Sequence, residues 1–206
     1  FKVIGAGLAG VEAAWQIACA GEKVTLYEQK PLRRSPAHSS DDFAELVCSN
    51  SLKALRIDSA AGLLKEEMSR LGSLTVPQAK KCAVAAGGAL AVDRNQFSRA
   101  VTEKIRSHPN ITVVPLVADS IPCDENEITI VATGPLTDGA MSESIKALCG
   151  DCLSFYDAAA PIISEESIDK DIVFGASRYG RGGEEDYLNC PFSKEQYERF
   201  INELVH

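Results

Sequence analysis

The stretch Phe1-Lys2-Val3-Ile4-Gly5-Ala6-Gly7-Leu8-Ala9-Gly10-Val11-Glu12-Ala13-Ala14 decides the fold. An apolar, strand-like run meets a G-x-G-x-x-G turn, and a helix-like run follows from Val11 to Ala20. In that setting Gly5 permits the tight turn, Gly7 lets the backbone approach a pyrophosphate, and Gly10 lets helix and strand pack closely. The helix N-terminus adds free N–H groups and the positive end of a dipole, which suit an anion. Lys23 to Tyr27 reads as a second parallel strand, with Glu28 at its end, about 20 residues past the glycines, where a carboxylate accepts from an adenosine ribose hydroxyl. A dinucleotide-binding βαβ unit is the expectation.

Working outward, 206 residues with 45% hydrophobic content suffice for one or two domains with a real core. No apolar run approaches the length of a bilayer-spanning helix, and no basic segment with a cleavage site precedes the first strand. A cytoplasmic protein without membrane association is therefore expected. Seven cysteines, an odd number in core-like contexts, point to reduced thiols. A net charge of −8 argues against non-specific nucleic-acid binding by this segment as a whole, while leaving room for a local basic site.

Strand and helix signals alternate through the first two-thirds. Pro31 to Ser51 is polar, irregular and too long for an ordinary connection, which marks it as a functional loop. A helix is expected from Ser59 to Met68, ending near Gly72, and an amphipathic one from Arg94 to His108. Between them, Ala83 to Val92 suits close packing or a ligand-facing segment. Ile111 to Val114 and Ile128 to Val131 read as buried parallel strands, the second running into the turn Ala132-Thr133-Gly134-Pro135 at a strand's carboxyl end, where α/β folds place ligands. Past residue 150 come extended segments, Phe155 to Pro161 and Asp171 to Ser177, then a glycine- and charge-rich loop, Arg178 to Asp186, expected to be mobile. The closing helix, Ser193 to Val205, has a capping Ser193 and an apolar stripe of Tyr197, Phe200, Ile201 and Leu204.

The reactive side chains differ in setting. Cys19 and Cys82 lie in small apolar contexts and are expected to be buried, inert thiols. Cys149 and Cys152 form a C-x-x-C pair that follows a helix-like segment instead of opening one, so coincidence is the favoured reading over redox chemistry. Cys48 and Cys190 are flanked by polar groups and turns, and from the residues alone a nucleophilic role and a structural one stand even. His38, in the long loop, is expected to face solvent. Neither a zinc spacing nor a G-x-S-x-G elbow is present.

Taken together, these segments resemble one family, the folate- and FAD-dependent tRNA (uracil-5-)-methyltransferases. The resemblance runs from the glycine turn through Ala44-Glu45-Leu46-Val47-Cys48-Ser49-Asn50-Ser51-Leu52, Val92-Asp93-Arg94 and Ala132-Thr133-Gly134-Pro135-Leu136-Thr137. It continues through Phe155 to Pro161, Ser177-Arg178-Tyr179 and Gly182-Gly183-Glu184 to Tyr187-Leu188-Asn189-Cys190-Pro191. It implies an α/β fold: a Rossmann-like FAD-binding domain with a parallel sheet over residues 1–150, plus the start of an inserted α+β, substrate- and tRNA-facing domain over 151–206. The implied activity is transfer of a methylene carbon from 5,10-methylenetetrahydrofolate, with reduction by flavin, to carbon 5 of uridine 54 in the T arm of tRNA, NAD(P)H re-reducing the flavin. By matching motifs Cys190 is the nucleophile and Cys48 the partner thiol in proton removal. Gly5, Ala6, Gly7, Leu8, Gly10 and Glu28 would hold the ADP half of FAD, Arg94, Thr133 and Gly134 would line the same cofactor, and Ala118 would flank the adenine.

Departures from the family pattern are informative. Cys149 and Cys152 lie outside it, and Ser39 follows His38 where a second histidine is expected. The family's chains are about twice this length, with the segment that closes the domain around the flavin ring in the other half, so the chain looks like a fragment. Positive surface for tRNA would come mostly from that other half, or else from Lys80, Lys81, Arg178, Arg181 and Lys194. A non-catalytic dinucleotide-binding piece, and a thiol-dependent flavin oxidoreductase using Cys149 and Cys152, are the competing readings.

Overall fold

The computed structural model describes residues 1–122, 126–150, 163–177, 183 and 185–205. Strand β1 (Lys2–Ile4) enters the glycine turn, helix α1 (Leu8–Cys19) leaves it, and β2 (Val24–Glu28) returns parallel to β1 with Val3 opposite Leu26. Two later strands, β6 (Ile111–Pro115) and β7 (Thr129–Val131), complete a parallel sheet of order β6-β2-β1-β7. The order reverses direction between β1 and β7, a topological switch point that opens a crevice at the carboxyl ends of the strands. α/β architecture with a Rossmann-like parallel sheet is thus observed.

Why these residues form these elements is visible in the packing. Val3 and Leu26 are fully buried on the sheet, and Val11, Ala14 and Ala18 of α1 close over it at helical spacing. Small side chains on that face let α1 lie close to β1. Helix α4 (Arg94–Ser107) packs beside α1 and against β6 through Phe97, Val101 and Ile105, each fully buried. Its N-cap is Asp93, whose carboxylate accepts from the amides of Asn95 and Gln96, both at 3.0 Å.

An insert between β2 and α4 departs from the sequence expectation. Strands β3 (Ser51–Ala54), β4 (Ala83–Val84) and β5 (Ala89–Val92) form a separate antiparallel sheet of order β3-β5-β4. The segment expected to pack closely or to face a ligand, Ala83 to Val92, holds its β4–β5 hairpin. Helix α2 (Ala60–Arg70) starts at Ser59, whose hydroxyl accepts from the Gly62 amide at 3.1 Å, and ends before Gly72 as expected. A further helix, α3 (Thr75–Lys81), was not anticipated. Its N-terminus is capped from elsewhere in the chain: the Glu12 carboxylate on α1 accepts from the Leu74 and Thr75 amides, at 3.0 and 2.7 Å, and from both the Ser73 and Thr75 hydroxyls. Those charge-assisted bonds fasten the insert's helices to the parallel-sheet layer.

Helix α5 (Gly139–Cys149) follows β7. Among the described residues beyond 150, β8 (Phe174–Gly175) and β9 (Leu188–Asn189) pair antiparallel, and α6 (Lys194–Val205) ends the set. Ser193 and Gln196 form a capping box, with the Gln196 amide donating to the Ser193 hydroxyl at 3.2 Å and the Ser193 amide to the Gln196 side-chain oxygen at 2.8 Å. The expected segment Phe155 to Pro161, Cys152, and most of Arg178 to Asp186 lie outside the described residues. No helix among the described residues is long and apolar enough to cross a membrane.

Candidate functional site

The glycine turn sits where β1, β2 and β7 converge. Gly5 has φ +99°, and a side chain there would drive a Cβ to 2.5 Å from the Ala132 carbonyl oxygen. At Gly10 a Cβ would lie 1.8 Å from the Gly5 carbonyl oxygen, so the close packing of helix on turn requires glycine. Gly7 is different: a Cβ there would meet no protein atom within 4 Å and would project into open space. That space is a cleft of about 820 Å³, solvent mouth included, bounded by the three strand ends, the long loop after β2 and the start of α5.

Glu28 ends β2 and is almost fully buried at the cleft wall. Its carboxylate accepts from the Ala6 amide at 2.7 Å and the Lys30 amide at 3.0 Å. A carboxylate offers about four lone-pair sites, so two backbone bonds leave acceptors for a ribose diol. Gly5, Ala6, Gly7, Glu28, Ala118 and Thr133 all line the cleft. Gly134, at φ +80°, turns the chain immediately after Thr133. Leu8, the first residue of α1, and Gly10, packed on the Gly5 carbonyl, do not line the cleft. Arg94 points elsewhere, its guanidinium donating to the Cys48 carbonyl at 3.3 Å.

The long loop after β2 supplies groups that sequence reasoning had not placed. The Ala44 amide donates to the Ala6 carbonyl at 2.9 Å, and the Phe43 amide donates to the Thr102 hydroxyl at 2.7 Å, pinning the loop between the glycine turn and α4. Lys30, buried, donates to the Asp42 carbonyl and pairs with Glu45 at 3.6 Å. Burial pushes the Glu45 carboxyl up, yet bonds from Ser39 and Ser40 and the Lys30 charge outweigh it, holding it below the usual carboxylate range. His38 corrects an expectation: it is half-buried and lines the cleft, with Nδ1 2.6 Å from the Ser35 hydroxyl. Burial, then the Lys30 charge, hold its pKa below the ordinary histidine value. Across the mouth a single guanidinium nitrogen of Arg33, Nη2, donates to both carboxylate oxygens of Asp138, at 2.6 and 2.7 Å. Its loop signal was legible; which residues would turn inward was not.

The cysteines separate by location. Cys19, expected to be buried, is exposed, because α1 buries Val11, Ala14 and Ala18 and its last residue falls off that stripe. Cys82 is half-buried, and burial, then Asp93, raises its thiol pKa, as an inert thiol should show. Cys149 ends α5, exposed. Cys48 and Cys190 are both exposed, and β5 connects their neighbourhoods. Near Cys48, Asn50 exchanges bonds with Val92, through the Asn50 side-chain amide at 3.1 Å and the Val92 amide at 3.0 Å. Near Cys190, Tyr187 and Asp186 bond to Ala86 and Gly87, at the other end of that strand. Among the described residues no cluster of His, Cys, Asp and Glu could hold a metal ion.

Residues 1–206 match the family model of glucose inhibited division protein A. This chain belongs to that family. Within the curated proteins it is 54% identical over 205 residues to the methylenetetrahydrofolate–tRNA-(uracil-5-)-methyltransferase TrmFO of Halalkalibacterium halodurans, covering 99% of this chain and 46% of that one. The proteins of the same name from Brevibacillus brevis and Aquifex aeolicus are 55% and 53% identical, over 98% of this chain and 46% and 45% of theirs. The chain spans a little under half the length of the curated relatives it matches.

Proposed function

We propose that the protein to which this chain belongs is an FAD-dependent methylenetetrahydrofolate–tRNA (uracil-5-)-methyltransferase acting on the T-arm uridine, with NAD(P)H as reductant, in the cytoplasm. The observation that carries this reading is the 53–55% identity, sustained over nearly all of the chain, to relatives named methylenetetrahydrofolate–tRNA-(uracil-5-)-methyltransferase. The cleft is consistent with the cofactor: the open face of Gly7, the α1 N-terminus and the spare acceptors of Glu28 suit a pyrophosphate and a ribose. FAD held there supplies the reducing electron pair and a carrier for the one-carbon unit. Gly5, Ala6, Gly7 and Glu28 would bind its ADP half, with Ala118 beside the adenine and Thr133 and Gly134 along the cleft.

The thiols answer a chemical need. Carbon 5 of uracil is a weak nucleophile until a thiolate adds at carbon 6, forming an S–C bond and moving the double-bond electrons onto carbon 5 and the adjacent carbonyl. Cys190 takes that role. After carbon 5 has accepted the one-carbon unit, its proton passes to the Cys48 thiolate and the one-carbon carrier leaves with the other bonding pair, giving an exocyclic methylene. A hydride equivalent from the reductant converts that methylene to methyl, the ring double bond returns, and the S–C bond breaks with its electron pair going back to Cys190. Both side chains are exposed, as attack on a macromolecular substrate demands.

Incubating the complete protein with unmodified tRNA, labelled methylenetetrahydrofolate and NADPH should place label on the T-arm uridine. Cys190→Ala should abolish that labelling while leaving the flavin spectrum unchanged. Wild-type turnover by this variant would sink the nucleophile assignment.

A further inference from the structure

The segment that carries Cys190 is bonded to the insert by two consecutive side chains. Tyr187 donates its hydroxyl to the Ala86 carbonyl at 2.5 Å, and the Asp186 Oδ2 accepts from the Gly87 amide at 2.6 Å. That same carboxylate oxygen accepts from the Gly183 amide at 2.9 Å, so one atom joins the β4–β5 turn to the loop of the β8–β9 hairpin. Ala86 and Gly87 belong to a turn that is itself closed, by the Ala89 amide on the Ala86 carbonyl at 3.1 Å and by the Leu55 amide on the Gly88 carbonyl at 3.1 Å. The turn is therefore held by all three strands of the insert sheet. On the hairpin side, Asn189 donates to the carbonyls of Ala176 and Tyr187, both at 3.1 Å, which stiffens β9 up to the residue before Cys190.

Sequence distance gives the scale. Cys190 lies three residues past Tyr187, at most about 10 Å of extended chain. Hydrogen bonds at residues 186 and 187 thus confine the thiol to a short radius from the turn. The other end of β5 holds the Cys48 segment through the Asn50–Val92 bonds and the Arg94 contact with the Cys48 carbonyl. Three strand steps, Ala89 to Val92, span about 10 Å.

We infer that Asp186 and Tyr187 are positioning residues: they clamp the Cys190 segment to the β4–β5 turn and so set the nucleophile's place relative to Cys48 through β5. This rests on the reading of Cys190 as the nucleophile. The effect of Asp186 and Tyr187 falls on how often the thiol occupies the attacking position, and misplacement of a reacting group by about 1 Å can cost on the order of a hundredfold in rate.

The test uses the complete, flavin-loaded protein with methylenetetrahydrofolate, NADPH and a T-arm RNA bearing 5-fluorouridine at the target. Fluorine cannot leave as a proton, so the Cys190–carbon 6 bond is retained and its formation can be timed as a covalent protein–RNA band. Tyr187→Phe and Asp186→Ala should each slow that band about tenfold or more, with RNA affinity and flavin absorbance unchanged. Asp186→Asn, which keeps an oxygen for the two amides, should recover most of the rate. Wild-type rates in both Tyr187→Phe and Asp186→Ala would overturn the clamp, as would an equal loss in Asp186→Ala and Asp186→Asn. Cys190→Ala separates the two readings: a covalent band in that variant removes the nucleophile assignment. A band lost there but undiminished in the clamp variants removes the clamp alone.

Discussion

Helices α1 and α6 each have 12 residues and each carries an apolar stripe, yet they end in opposite circumstances. α1 has weak amphipathicity, with small side chains, and buries Gly10, Val11, Ala14 and Ala18 between the sheet and α4. α6 has the sharper stripe and, among its described residues, buries none, leaving Tyr197, Phe200 and Leu204 at 55%, 48% and 70% exposure. Its Phe200 ring stacks on the nearby Phe192, ring centroids 5.6 Å apart. Hydrophobic periodicity therefore specifies which side of a helix is to be covered, and says nothing about what covers it. What distinguishes α1 is the fit of its one glycine and its alanines to a partner already in the chain.

The contrast breaks most severely at Gly10. Gly10→Ala should destabilise the complete protein by about 3 kcal/mol, near the top of the range for overpacking, because the new Cβ meets the Gly5 backbone, which cannot yield without distorting the cleft. A urea midpoint and flavin content at wild-type values would contradict the packing argument. Next in size is Glu28→Gln. An amide in place of the carboxylate sets a donor against one of the two backbone N–H groups, and flavin affinity should fall by about 1.5 kcal/mol, on the order of tenfold, in a fluorescence titration.

A smaller effect tests the loop that packs on the α1 side. His38 has a folded pKa below its ordinary 6.5, so it stabilises the fold fully above pH 6.5, and that contribution is lost as pH falls from there through the depressed value. Urea midpoints of the wild type should drop between pH 7 and 5.5, and His38→Gln should flatten the drop. An unchanged slope would place the pH sensitivity elsewhere. Smallest is Leu204→Ser on α6, which should change the stability of residues 1–206 by less than about 0.5 kcal/mol, since this side chain is already in water. A cost above 1 kcal/mol in the complete protein would show that further residues cover the stripe.

The parallel βαβ unit was legible because its determinants are local: Gly10 meets Gly5, five residues away, and Glu28 falls at a strand end counted directly from the turn. The insert was far less so. Helix α3 is short, has Pro77 in its first turn and owes its N-terminal cap to Glu12, more than 60 residues earlier, a partner no local pattern announces. Strands β3 to β5 are two to four residues long in an alanine- and glycine-rich stretch, too brief for alternation to register. At the site, the cleft-lining glycines and Glu28 followed from motif and spacing. His38, Lys30 and Glu45 did not, because a polar loop signals function without revealing which side chains its tertiary bonds turn inward.

The Arg33–Asp138 pair has a kinetic meaning. It joins walls contributed 105 residues apart and lies exposed at the cleft mouth. An exposed ion pair contributes about 0–1 kcal/mol and is screened by salt. The mouth is thus held by its weakest fastening while the floor is built from buried backbone. Parting that one surface pair would widen the mouth without breaking a hydrogen bond of the sheet beneath it, so ligand release is expected to quicken as ionic strength rises.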